Sequence, residues 1–187
     1  MSTEQQPVEV KSTTPAKLAG KEIDSYRTAV DEMLTKKISM EISNGLPQHA
    51  AVLFEQFFKH AKKSVLIFCE TLSESVFDSP EIVEKAKIAL KNGVSIKVII
   101  QADQPNNSAF LTFLKENKDD PNLSLKKATA REWKEHPANF ATMDGTAFRF
   151  EKNRDHIVAV ANTNLPAIAS ILEDRFYAAD KTALAIG

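Results

Sequence analysis

The residues with chemistry to offer gather in the last third of the chain. His136, Asn139, Asp144, Asn162 and Asn164 are spaced along two short stretches, HPANFATMDGTAFRFE and HIVAVANTN. An imidazole is the side chain that titrates near neutral pH, so His136 is a candidate nucleophile or base. A carboxylate such as Asp144 accepts hydrogen bonds and carries charge, and side-chain amides both donate and accept. Together these groups could serve a polar site, provided the fold brings them to one point.

Other constellations carry less. The four histidines are His49, His60, His136 and His156. None forms a His-x-x-x-His or Glu-x-x-His pattern, so no metal site is expected. The single cysteine, Cys69, lies in an apolar run and reads as a buried thiol, with Glu70 at the end of the same strand. One cysteine excludes an internal disulfide and a cysteine zinc cage. Only five glycines occur, and they form neither GxGxxG nor a P-loop, so no nucleotide cofactor is expected. Gln101 to Asn107 (QADQPNN) reads as a turn before a helix. Lys115, Lys118, Lys126, Lys127, Arg131 and Lys134 make a locally basic stretch around Trp133. It is diluted by Glu116, Asp119, Asp120, Glu132 and Glu135. A nucleic-acid face would need those cations on one side with aromatics between them.

The elements that must position these residues follow from periodicity. Residues 1–20 hold almost no large apolar side chain and are expected to be a flexible tail. Residues 21–46 read as a helix (Ile23, Tyr26, Val30, Met33, Leu34), then a strand in which Ile38, Met40 and Ile42 alternate with polar residues. Pro47 opens a helix carrying Ala50, Phe54, Phe57, Phe58 and Ala61. SVLIFCETL from Ser64 is a strand buried on both faces. A helix from Pro80 ends at Gly93, and VSIKVIIQ is the next strand. Ser108 begins a third helix, and Leu123 and Leu125 mark a third strand. Alternating helices and strands predict an α/β fold whose sheet is largely parallel. Asn139 to Glu151 then reads as a strand pair about Asp144-Gly145, or as one strand with a bulge there. HIVAVAN is another strand, and Leu165 to Ala179 a closing helix.

That order over Pro47 to Ala179 resembles the phospholipase D superfamily. The resemblance implies a mixed, largely parallel sheet flanked by helices on both faces, with residues 47–187 as the domain. The family's strand pair carries a His-x-K-x-x-x-x-D motif, then a strand ending in Gly-Ser-x-Asn. The histidine attacks phosphorus, while lysine and asparagine hold the oxygens. Aligned on Asp144, the histidine position holds Pro137 and the lysine position Asn139. His136 lies one residue away, on the opposite face of a strand. Ala161-Asn162-Thr163-Asn164 stands for Gly-Ser-x-Asn with only the last residue kept. From Asp144 to Asn164 is 164 − 144 = 20 residues, about twice the family's interval.

Proline supplies no nucleophile and asparagine no charge. The resemblance therefore implies a degenerate, non-catalytic member that acts as a binding or assembly subunit. Its relic pocket would comprise Asn139, Asp144, Asn162, Asn164 and His136. The family's usual dimer implies a homo-oligomer, alongside a protein partner, and degenerate members occur in bacterial defence systems. A divergent phosphodiesterase using His136 and a nucleic-acid-binding module are the alternatives. The net charge of −1 argues against wholesale binding of phosphate backbone. No apolar run is long enough to span a membrane and no secretion signal is seen, so a cytoplasmic location is expected.

Overall fold

The computed structural model describes residues 20–103, 108–152 and 158–186. His156, most of the expected tail and residues 104–107 of the turn after Gln101 lie outside them. The elements run α1 (Gly20–Lys36), β1 (Glu41–Asn44), α2 (Pro47–His60), β2 (Ser64–Cys69), α3 (Glu74–Phe77), α4 (Pro80–Lys91) and β3 (Ser95–Ile100). Then come α5 (Ala109–Glu116), β4 (Leu123–Lys127), α6 (Arg131–Lys134), β5 (Asn139–Met143), β6 (Ala147–Glu151), β7 (Ala159–Asn162), α7 (Pro166–Asp180) and β8 (Leu184–Ala185).

The strands form a single sheet in the order β1-β7-β6-β5-β2-β3-β4-β8. Only β2–β3 and β3–β4 are parallel; the other neighbours are antiparallel. The sheet is therefore mixed but mostly antiparallel, which corrects the expectation of a largely parallel one. The reason lies between β4 and β5. A parallel return needs a crossover of about a dozen residues or more. Here Ala128 to Ala138 includes only the one-turn α6, so the chain re-enters the sheet from the same end and runs backwards.

Helices cover both faces. On one side α1 to α5 pack on Val65, Ile67, Ile96, Val98 and Ala141. On the other, α7 buries Ala169, Leu172 and Phe176 against Leu66, Phe68, Ile99, Phe140 and Phe148. β2 lies between the two layers, which explains its unbroken apolar sequence.

Three local devices set the frame. Lys37 ends α1 in a left-handed conformation (φ 53°), and the Ile38 N–H reaches back to the Met33 carbonyl at 2.9 Å. This delays the strand to Glu41, so Ile38 and Met40 lead into it rather than pairing. Ser108 caps α5 through its hydroxyl, 3.2 Å from the Leu111 N–H. Asp144 and Gly145 both take positive φ (54° and 66°), and the Thr146 N–H bonds the Met143 carbonyl at 3.0 Å. Three residues, 144–146, thus join the paired Met143 and Ala147 in a tight hairpin, which resolves the strand pair over the bulge. A Cβ at Gly145 would also meet the Glu173 carboxylate at 3.2 Å.

The Asp144 carboxylate accepts from three consecutive backbone amides, Lys62 (2.8 Å), Lys63 (2.8 Å) and Ser64 (2.9 Å). It clamps the hairpin to the start of β2. Asp144→Asn keeps the turn, because asparagine tolerates positive φ. It removes the charge behind these bonds and should cost about 2 kcal/mol. Urea unfolding that shows no loss would contradict the clamp.

Candidate functional site

The sheet faces decide which residues can meet. Asn139 pairs across from Glu151, and Phe140 from Phe150. Alternation then puts Asn139, Arg149 and Glu151 on the α2 face beside Cys69, and Phe140 on the α7 face. These α2-face residues line a cleft of about 220 Å³ beyond the end of β2. Its walls are apolar (Pro47, Ala50, Phe54, Ile67, Phe77), and Glu70, Thr71, Ser73 and Ser75 stand at its polar margin.

Its floor is an ion pair. Arg149 and Glu151 are only 7% and 8% exposed, and Arg149 Nη1 donates to Glu151 Oε2 at 3.0 Å. Arg149 Nε donates to Asn44 Oδ1 at 2.7 Å. Asn44 Nδ2 in turn donates to the Tyr26 hydroxyl at 3.0 Å, and the Tyr26 ring stacks on His49. The chain of contacts ties α1 and β1 to β6. Asn139 Oδ1 accepts from the Glu70 N–H at 2.8 Å, which fixes the orientation of its amide. Burial pushes the Cys69 thiol up to about 12, so it is a neutral, inert wall group at neutral pH.

The five sequence candidates do not form one pocket. Asp144 is at the opposite end of β5 from Asn139, roughly 17 Å away at the usual rise of a strand, and is spent on the amides of residues 62–64. Asn162 and Asn164 sit at the Asp144 end, since Asn162 pairs with Phe148 and the Leu165 N–H bonds the Thr146 carbonyl. Asn162 Oδ1 accepts from the Asn164 N–H (2.9 Å), and Asn164 Nδ2 donates to the Lys37 carbonyl (2.7 Å). Asn164 thus holds the turn after α1, and Asn162 holds Asn164. His136 is near Asn139 in sequence but on the α7 face. Its ring packs on Trp133 and edge-on to Phe68 and Phe140, and Nδ1 rests against the Ala138 backbone N–H at 3.2 Å. Burial, then the nearby Arg175 charge, keeps it below the ordinary histidine value.

Arg149 and Glu151 escaped the sequence reading. Their signal was there: two charges alternating with Phe148 and Phe150 on the strand opposite Asn139. Half of the Asp144–Asn164 interval also leads from Asp144 to just past the end of β6, not to β7. Pro137, at the position of the family nucleophile, is exposed. Among the described residues, no three His, Cys, Asp or Glu side chains converge as a metal site would need. No helix among them is long and apolar enough to cross a membrane.

No family model matches this sequence, and no curated protein does. Solved structures do. The phospholipase D family member Nuc from Salmonella typhimurium superposes with a TM-score of 0.55 at 15% identity, over 79% of this chain and 98% of its own. NucT from Helicobacter pylori gives 0.58 at 11% identity, over 79% and 99%. The chain has a phospholipase D-like fold. The archaeal chromatin protein TrmBL2, described as showing a novel mode of DNA binding, gives 0.57 at 11% identity. That match covers 89% of this chain and 64% of TrmBL2. At these identities the likeness extends to the fold, and the phospholipase D-like frame here holds a cleft floored by an internally matched Arg–Glu pair.

The histidines predict a pH dependence. His49 is held below its usual 6.5 by burial, with its Nδ1 unpartnered, and His136 is lowered too. The unfolded chain takes up protons that the folded chain does not. Stability should therefore be full above pH 6.5 and fall as pH drops through it. Replacing both with Phe should flatten thermal unfolding between about pH 7.5 and 5.5 by removing titration at the histidine pKa. An unchanged pH slope in the double variant would refute this cause.

Proposed function

We propose that this phospholipase D-like domain does not cleave phosphate esters and works by binding, as a subunit of a larger assembly. The observation that carries the reading is the disposition of charge and nucleophile at the cleft. The position of the attacking imidazole holds Pro137, and the lysine position holds Asn139. Arg149, the buried cation of the cleft, is committed to Glu151 and Asn44. A site that must stabilise charge building on phosphoryl oxygens needs positive charge that no neighbouring carboxylate cancels. His136 faces the other side of the sheet, out of reach of Asn139.

A nucleic-acid-binding reading draws support from the likeness to TrmBL2. Against it stands the pairing within the basic stretch. Lys126 meets Asp180 at 2.7 Å, Lys127 meets Asp103 at 2.5 Å, and Arg131 meets Glu135 at 3.1 Å. Cations matched in this way release few counterions on meeting a phosphate backbone.

The assay is hydrolysis of a chromogenic phosphodiester and of single- and double-stranded DNA. Wild type and His136→Ala should both match the buffer rate. Turnover by wild type that His136→Ala abolishes would overturn the reading in favour of a phosphodiesterase. Salt-sensitive retention of DNA on a filter, without turnover, would favour the nucleic-acid module instead.

A further inference from the structure

We propose that the cleft at the end of β2 recognises an uncharged, planar ring whose edge reads acceptor–donor–acceptor, the pattern of uracil or thymine. The inference rests on the binding reading above and names the ligand class of that same site.

The polar groups left over in the cleft set the pattern. Arg149 uses Nε on Asn44 and Nη1 on Glu151, so Nη2 remains as a donor. Glu151 uses Oε2 on Arg149, so Oε1 remains as an acceptor. Asn139 must turn Oδ1 to the Glu70 N–H, because a backbone amide only donates; its Nδ2 then remains as a donor. Glu151 follows Arg149 by two residues on one face of β6 and pairs directly with Asn139. The cleft therefore presents donor, acceptor and donor in the order Arg149, Glu151, Asn139. The complement is an edge with two carbonyl oxygens flanking an N–H, as in a pyrimidine-2,4-dione.

Charge and shape narrow the class further. The guanidinium and carboxylate balance each other, so a phosphate or carboxylate entering the cleft would bring unmatched charge beside Glu151. A neutral amide-like edge adds none. At about 220 Å³ the cleft lies below the range of about 300–1,000 Å³ that holds drug-sized ligands. It suits one ring system. Phe54 and Phe77, buried with ring centroids 4.7 Å apart, supply an apolar wall against which a flat ring can pack.

The test is calorimetric titration of the full chain with uridine, cytidine and inorganic phosphate. Cytidine has the same size but replaces the central N–H by an acceptor and one flanking carbonyl by an amino donor. Uridine should bind saturably and at least tenfold more tightly than cytidine, and phosphate should give no saturable heat. Ser73→Trp, at an exposed position on the cleft margin, should weaken uridine at least tenfold by blocking entry. Glu151→Gln should shrink the preference for uridine over cytidine. Equal binding of the two nucleosides, no binding of uridine, or uridine binding indifferent to Ser73→Trp would overturn the inference. Hydrolysis is assayed on the same preparation. Absent uridine binding with absent turnover removes the ligand class alone, whereas turnover removes the binding reading beneath it.

Discussion

The buried pair of Arg149 and Glu151 is the interaction on which the rest turns. Taking two charges out of water costs several kcal/mol per ion unless they meet in good geometry with their remaining groups bonded. Here the pair is made at 3.0 Å and Asn44 completes part of the guanidinium. Because Asn44 belongs to β1 and bonds Tyr26 of α1, the same pair fastens the N-terminal helix and strand to the strand that floors the cleft. Pairing with Glu151 also cancels the charge of the cation inside the cleft. One contact thus bears on both the architecture and the chemistry.

Around that pair, the hairpin of β5 and β6 divides its labour by end and by face. At the turn end, Asp144, Asn162 and Asn164 are consumed in holding backbone amides and carbonyls. At the open end, the α2 face bears Asn139 and the ion pair, while the α7 face bears the aromatic group of Trp133, His136, Phe68 and Phe140. A strand turns alternate side chains to opposite sides, so residues adjacent in sequence can serve unrelated structures. His136 precedes β5 and packs on the α7 side, away from Asn139. It is part of the packing under α7.

Much of the frame was legible from the chain itself. The apolar run of β2, the hydroxyl cap at Ser108, Gly93 at the end of α4 and the Asp144-Gly145 turn each announce themselves by local chemistry. Strand direction did not, because it depends on where the chain goes between β4 and β5, and the one-turn α6 carries too little periodicity to be seen. β8 is two exposed residues paired to β4 and has no pattern of its own. The site was half legible. Asn139 and its missing cation followed from the motif alignment. Arg149 and Glu151 did not, because charged residues on a strand read as solvent-facing until the helices above them are known. Asn164 matched the motif by type but lies just past β7, beyond the family's interval from Asp144.

Arg149 and Glu151 exist for each other. A double-mutant cycle with Arg149→Met and Glu151→Leu, followed by urea unfolding of the full chain, tests it most directly. Each single change leaves an uncompensated buried charge and should cost about 3–5 kcal/mol. The double variant should recover most of that loss, giving a coupling energy of about 2 kcal/mol or more. Additive losses with no coupling would mean that the guanidinium is held for something other than its neighbour, and the picture of an internally neutralised cleft would fail.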